Sequence, residues 1–176
     1  VGVLEAVNDI PTAWGWPLRI VMQLGTLWVA LGVVALVALA TRARGIAPAL
    51  AVLVAVAVAF RLDNVLKDII ERPRPARVLE GLHGRETIGG FAFPSGHTTM
   101  AFALAASLHP SVAPRWRWAL WALATVVGVA RLHVSVHWPA DVVGGAALGT
   151  AIGTAAWLLV SSTTQWPAAP DSEARR

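Results

Sequence analysis

The chain has 176 residues, 56% of them hydrophobic and 14% charged, where soluble domains carry about a quarter charged; its mean hydropathy is +0.62. That composition excludes an ordinary soluble domain and implies a membrane protein. The net charge of +4 does not imply nucleic acid, because the arginines punctuate the ends of apolar runs instead of massing on one helix or tail, and the absence of cysteine excludes disulfides and thiolate metal sites together.

Residues 1–17, broken by Pro11, Gly15 and Pro17, read as an N-terminal interfacial segment with no signal-peptide pattern. A start at valine is compatible with a preceding segment. Apolar runs suited to the roughly 30 Å of a bilayer core follow at 18–40 and 47–66, then a short one at 98–108, then 118–134 and 142–160. The short run counts as a span whose outer end is sunk below the surface. The expected fold class is therefore all-α, a polytopic transmembrane helix bundle of about five spans over residues 18–160, followed by a polar tail at 161–176.

Threading five spans puts Arg42, Arg44, Arg115, Arg117, Arg175 and Arg176 on one side, which the positive-inside rule makes cytoplasmic. The N-terminus, with Glu5 and Asp9, shares the opposite face with loops 67–97 and 131–141. Trp14, Trp16 and Trp138 then fall near the outer interface, and Trp116, Trp118, Trp121 and Trp166 near the inner one. Trp28 and Trp157 lie within spans as packing residues. In the last run, Gly145, Gly149 and Gly153 recur at four-residue spacing. They read as close packing within the monomer rather than as a dimer seam, and leave the oligomeric state open.

Polar groups gather in the outer loops. The stretch RLDNVLKDIIERPRPAR crowds Arg61, Asp63, Lys67, Asp68, Glu71, Arg72, Arg74 and Arg77 at the membrane surface. Lys67 and Glu71, four residues apart, can pair on a helix that Pro73 and Pro75 then end. The bland alternative is a solvated helix end whose arginines meet lipid headgroups. In FAFPSGHTTMAF, Ser95 suits a helix N-cap and Gly96 offers an unobstructed N–H, so the helix start is an anion site or a plain capped end with a neutral His97.

In ARLHVSVHWPADVVGG, Pro139 suits the first turn of a helix that also holds Asp141, and His137 lies four residues ahead of the aspartate. A carboxylate that accepts from one imidazole nitrogen leaves the other as base, ligand or nucleophile. A metal on His133, His137 and Asp141 is opposed by the break at Pro139, and His83, His109 and His133 are read as having no chemical role. Three cations, an amide-rich helix start and two histidines, one beside an aspartate, suit phosphoryl transfer.

These residues resemble the signature of the lipid phosphate phosphatases, the membrane branch of the type 2 phosphatidic acid phosphatase and vanadium haloperoxidase superfamily. That signature is a lysine, six residues, then Arg-Pro; next Pro-Ser-Gly-His; then Ser-Arg, five residues, His, three residues, Asp. Here it falls on Lys67, Arg74 and Pro75, on Pro94-Ser95-Gly96-His97, and on Arg131, His137 and Asp141. Spacing selects Arg74 over Arg72, and Ala130 stands where the family usually has serine.

The resemblance implies an integral-membrane enzyme that hydrolyses a lipid monophosphate or diphosphate, such as a polyprenyl diphosphate or glycerolipid phosphate. His137 would attack phosphorus to give a phosphohistidine, with Asp141 orienting its ring. Lys67, Arg74 and Arg131, helped by Ser95 and the Gly96 amide, would hold the phosphoryl oxygens, and His97 would protonate the departing oxygen. No metal or other cofactor is implied, and the partners are membrane lipids and the lipid phosphate substrate, not nucleic acid. The expected place is the cell membrane, with the catalytic loops extracytoplasmic and the C-terminus cytoplasmic. The rivals are a lipid phosphotransferase that passes the same intermediate to an acceptor other than water, a soluble haloperoxidase and a non-catalytic headgroup-binding module.

Overall fold

The computed structural model describes residues 2–9, 15–42, 45–79 and 89–164. The described residues form α1 (Gly2–Asn8), α2 (Gly15–Met22), α3 (Leu27–Thr41), α4 (Ala47–Ile70), α5 (Pro75–Val78), α6 (Gly96–Leu108), α7 (Pro114–His133) and α8 (Pro139–Thr164), with 3₁₀ turns at Gln23–Gly25 and His109–Ser111. Trp14, Arg44, His83, Trp166, Arg175 and Arg176, which entered the topology and histidine readings, lie outside the described residues.

The chain folds as an all-α membrane helix bundle. Within it α4 and α8 are each long and apolar enough to cross a bilayer, and the bent pair of α2 and α3 is a third candidate if taken as one span. The 13 residues of α6 cover only about 20 Å at the helical rise. This short helix is the centre of the bundle, packed between α4, α7 and α8.

Lipid tails are as apolar as the side chains, so close van der Waals contact, not escape from water, must hold these helices together. The residues present suit that: the largest core cluster joins Val52, Ala55, Val56 and Ala59 of α4 to Met100, Ala103 and Leu104 of α6 and to Ile152 and Ala156 of α8. The glycines of α8 close the tightest seam. A Cβ on Gly145 would stand 2.8 Å from the Ser95 carbonyl oxygen, and one on Gly149 would stand 2.9 Å from the Ala103 nitrogen. The four-residue repeat thus serves packing within the monomer, as its spacing suggested.

The first apolar run is not one straight helix. It breaks at Gln23–Gly25, and the two halves meet at 63°. Thr26 is extended there (φ −88°, ψ 150°) and its hydroxyl donates to the Gln23 carbonyl at 2.7 Å. A Cβ on Gly25 would lie 2.8 Å from the His97 Cα, so the break seats the chain against the start of α6. It also turns Trp28 outward: this residue is 81% exposed on the protein surface and does not pack within a span as expected. Trp157 does pack, against Ala47, Ala51 and Val160.

Candidate active site

Three chain segments meet at one end of the bundle: the stretch from the end of α4 into α5, the turn that opens α6, and the connection from α7 to α8. Backbone chemistry ties them. The Ala92 N–H donates to the Arg72 carbonyl at 2.8 Å, and the Ser95 N–H to the Asp141 carbonyl at 3.0 Å. The Trp138 indole N–H donates to the Pro73 carbonyl at 2.9 Å.

Each segment is locally dictated. α4 stops at Ile70 because Glu71 takes a left-handed conformation (φ 49°), its N–H closing on the Lys67 carbonyl, and Pro73 bars its continuation, while Pro75 opens the short α5. α6 opens after Ser95, whose hydroxyl makes no capping bond and accepts instead from the Thr98 hydroxyl at 2.9 Å. α8 opens at Pro139, and the Asp141 carboxylate reaches back to the Trp138 N–H at 2.7 Å, half of a capping box.

His137 is nearly enclosed, at 2% exposure. Its Nδ1 lies 2.7 Å from the Ala92 carbonyl oxygen, which can only accept, so Nδ1 carries the proton. Nε2 is left with a lone pair, 3.4 Å from an Arg74 guanidinium nitrogen. Burial lowers the ring's pKa to about 4, with Arg131 and Arg74 pushing the same way and Asp141 opposing. The sequence assigned ring orientation to Asp141, which lies 3.7 Å from Nδ1. The nearer acceptor is the Ala92 carbonyl. Asp141, fully buried, takes the Arg72 guanidinium at 2.9 Å as well as the Trp138 N–H.

The cations surround the two imidazoles. Arg74, buried, also donates to the Val136 carbonyl at 2.8 Å and the Gly89 carbonyl at 3.1 Å. Arg131, 1% exposed, donates to the Met22 sulfur at 3.2 Å. Burial lowers the His97 pKa to about 3, and the charges of Arg131, His137, Lys67 and Arg74 push it the same way. Lys67 does not reach forward to Glu71; it pairs with the buried Asp63, one turn back. Gly96 makes that possible, since a Cβ there would stand 2.7 Å from the Asp63 carboxylate and 3.0 Å from the Lys67 ammonium.

All eight residues picked from the sequence, Lys67, Arg74, Ser95, Gly96, His97, Arg131, His137 and Asp141, therefore gather at this end. His109 lies at the opposite end of α6, bonded to the Trp121 indole at 3.0 Å, and His133 turns away to the Val7 carbonyl at 3.0 Å. Four participants went unassigned. Asp63 had a signal, its place four residues before Lys67 on a helix. Arg72 was set aside by spacing, yet it holds Asp141 and lies over the Trp138 ring, 5.5 Å from its centroid. Trp138 was read as an interface anchor. Ala92 contributes a backbone carbonyl, for which no residue type is diagnostic.

A family model described as the PAP2 superfamily matches residues 48–165. The chain is 38% identical over 93 residues to a lipid A 1-phosphatase of Rhizobium etli, a match covering 50% of this chain and 40% of the relative. It is 31% identical over 126 residues to an undecaprenyl-diphosphatase of Sulfolobus acidocaldarius, covering 70% of this chain and 59% of that one. In fold it is similar to the crystal structure of Aquifex aeolicus LpxE, with a TM-score of 0.74 at 23% identity over 88% of this chain and 92% of the other. It is likewise similar to a transmembrane PAP2 type phosphatidylglycerolphosphate phosphatase of Bacillus subtilis, with a TM-score of 0.76 at 23% identity over 93% and 83%.

Proposed function

The chain belongs to the PAP2 superfamily, and from that premise we propose that it is a membrane lipid phosphatase that hydrolyses a lipid monophosphate or diphosphate through a phosphohistidine on His137. The observation that carries the reading is the state of one ring. Nδ1 is committed to the Ala92 carbonyl, and the Nε2 lone pair faces the Arg74 guanidinium. A lone pair beside a phosphate-binding cation is placed for in-line attack, and the cation screens the charge that would repel it.

In the first step Nε2 bonds to phosphorus as the bond from phosphorus to the lipid oxygen breaks, and His97 gives that oxygen its proton. Water then attacks the phosphohistidine and loses a proton to His97, so free phosphate leaves and His137 is restored. Lys67, Arg74, Arg131, Ser95 and the Gly96 amide take the phosphoryl oxygens. Burial and the surrounding cations leave His97 unprotonated in the empty site, and the bound phosphate's negative charge is what lets the ring hold the proton that it gives to the leaving oxygen. Asp141, 3.7 Å from Nδ1, stabilises the positive charge that the ring acquires during attack. Neither step calls for a metal.

The names of the two relatives and of the Bacillus subtilis neighbour share one chemistry, a phosphate on a lipid anchor. That is the substrate class proposed for this chain, a polyprenyl diphosphate or a glycerolipid phosphate, whose tail stays in hydrocarbon while its headgroup enters the site. Residues 18–160 are the catalytic domain in this reading. The chain crosses the cell membrane five times, with the site at the extracytoplasmic face and the C-terminus in the cytoplasm.

The test is phosphate release from a panel of lipid phosphates in detergent with chelator present. The parent is expected to hydrolyse at least one of them, and His137→Ala to lose at least about a hundredfold in rate. Equal rates in the two proteins overturn the nucleophile. Release without any alcohol acceptor separates hydrolysis from transfer to another lipid.

A further inference from the structure

Helix α1 lies outside the segment 48–165 that the family model covers, yet it docks on the turn that presents His137. The Asn8 amide nitrogen donates to the His133 carbonyl at 3.2 Å and to the Ser135 hydroxyl at 2.6 Å. The His133 ring nitrogen Nδ1 lies 3.0 Å from the Val7 carbonyl oxygen. Leu4, Asn8, His133 and Ser135 are all buried. Val3, on the other side of the helix, is exposed, as a segment lying at a membrane surface would have it.

The turn has reason to need a brace. α7 ends at His133 and α8 begins at Pro139, so the chain must reverse within residues 134–138, His137 among them. Ser135 holds a left-handed conformation (φ 58°), unfavourable for any residue but glycine unless its surroundings enforce it. On one side Arg74 grips the Val136 carbonyl and meets His137. On the other, the Ser135 hydroxyl and the His133 carbonyl are both held by Asn8.

We propose that Asn8 is a positioning residue: through it α1 clasps the turn from His133 to His137 and sets the angle at which Nε2 meets the phosphate. The proposal rests on the phosphohistidine reading for its kinetic consequence and on the contacts alone for its structural one. Small errors in the aim of a nucleophile cost large factors in rate while leaving substrate binding nearly untouched.

The experiment compares the parent with Asn8→Ala, Ser135→Ala and the double variant, each corrected for its folded fraction by thermal unfolding. Asn8→Ala is expected to lower kcat about tenfold with KM within about twofold, and the double variant to be no slower than Asn8→Ala, because both changes break one contact. Unchanged kcat per folded enzyme, or a Ser135→Ala loss that multiplies in full onto that of Asn8→Ala, overturns the clasp. Asn8→Leu keeps the side-chain volume, removes the N–H donors without burying a charge and is expected to lose kcat as Asn8→Ala does, which covers a failure of the alanine variant to fold. If the parent itself releases no phosphate, the catalytic reading fails by itself, and the clasp is decided by the His137 ring resonances of labelled protein. A shift between parent and Asn8→Ala supports it, and identical spectra overturn it.

Discussion

His137 is neutral throughout the physiological range because burial, more than any neighbour, opposes its charge and holds it at about 4 instead of 6.5. The Nε2 lone pair that the proposed attack requires is therefore available at neutral pH and is lost only when acid protonates Nε2. Imidazole resonances of labelled protein in detergent are expected to show this ring titrating near 4, and a midpoint near 6.5 would contradict the buried geometry. Stability follows the same group. Between about 6.5 and 4 the unfolded chain binds a proton that the native ring refuses, so this residue's contribution falls as pH drops through that window and is fully present above it. The two arginines of the Arg-Pro pairs differ in kind. Arg74 is buried and meets Nε2, while Arg72 is part-exposed and acts through Asp141. Arg74→Ala is expected to lower phosphate release by about a hundredfold or more, the scale of a lost transition-state donor, and Arg72→Ala by about tenfold. The reverse order would make the Arg72–Asp141 pair the more important contact.

Among the elements, α6 is the one that the rest are arranged around, and its contact with α8 is backbone against backbone. Gly149→Ala places a methyl 2.9 Å from the Ala103 nitrogen, against main chain that cannot swing aside. Overpacking of that kind costs about 1–3 kcal/mol, so a lower unfolding temperature in detergent is expected. Gly32→Ala is the control. A methyl at Gly32 in α3 meets nothing within 4 Å, and alanine favours helix over glycine by up to about 1 kcal/mol, so that variant should be as stable as the parent or more so. Equal destabilisation of both would mean that the α6–α8 seam has more slack than its distances allow. The break between α2 and α3 packs on α6 as well, because it is the start of that helix, at His97, that Gly25 lies against.

For the whole molecule the testable property is orientation. The site lies where α4 and α7 end and α8 begins, and α7, at 20 residues, carries the chain about 30 Å away from it. Glu71, beside the site, and Arg115, at the far end of α7, are both exposed. Since the chain has no cysteine, a single one placed at either position reports alone. An impermeant thiol reagent applied to intact cells is expected to label Glu71→Cys, and to label Arg115→Cys only after permeabilisation. The opposite pattern would invert the proposed orientation and put the phosphate site in the cytoplasm.

What the residues alone determine here is whatever short-range chemistry controls. Apolar composition makes a membrane bundle, Pro73, Pro75 and Pro139 mark helix ends, and three spaced motifs select the cations and imidazoles that gather at one end. Each of these is set by steric and solvation effects within a few residues, so each is written locally. Partnership is not. Lys67 could pair forward or back along its helix, and the space left by Gly96 settles it for Asp63. The acceptor for His137 Nδ1 lies 45 residues away and is a carbonyl that every residue possesses. Arg72 acquires its role only when packing brings it to an aspartate 69 positions on. Asn8 meets Ser135, in the turn that carries His137, across 127 positions. Such contacts depend on which backbone atoms the packed helices bring within hydrogen-bonding reach, and that is decided by the tertiary structure alone.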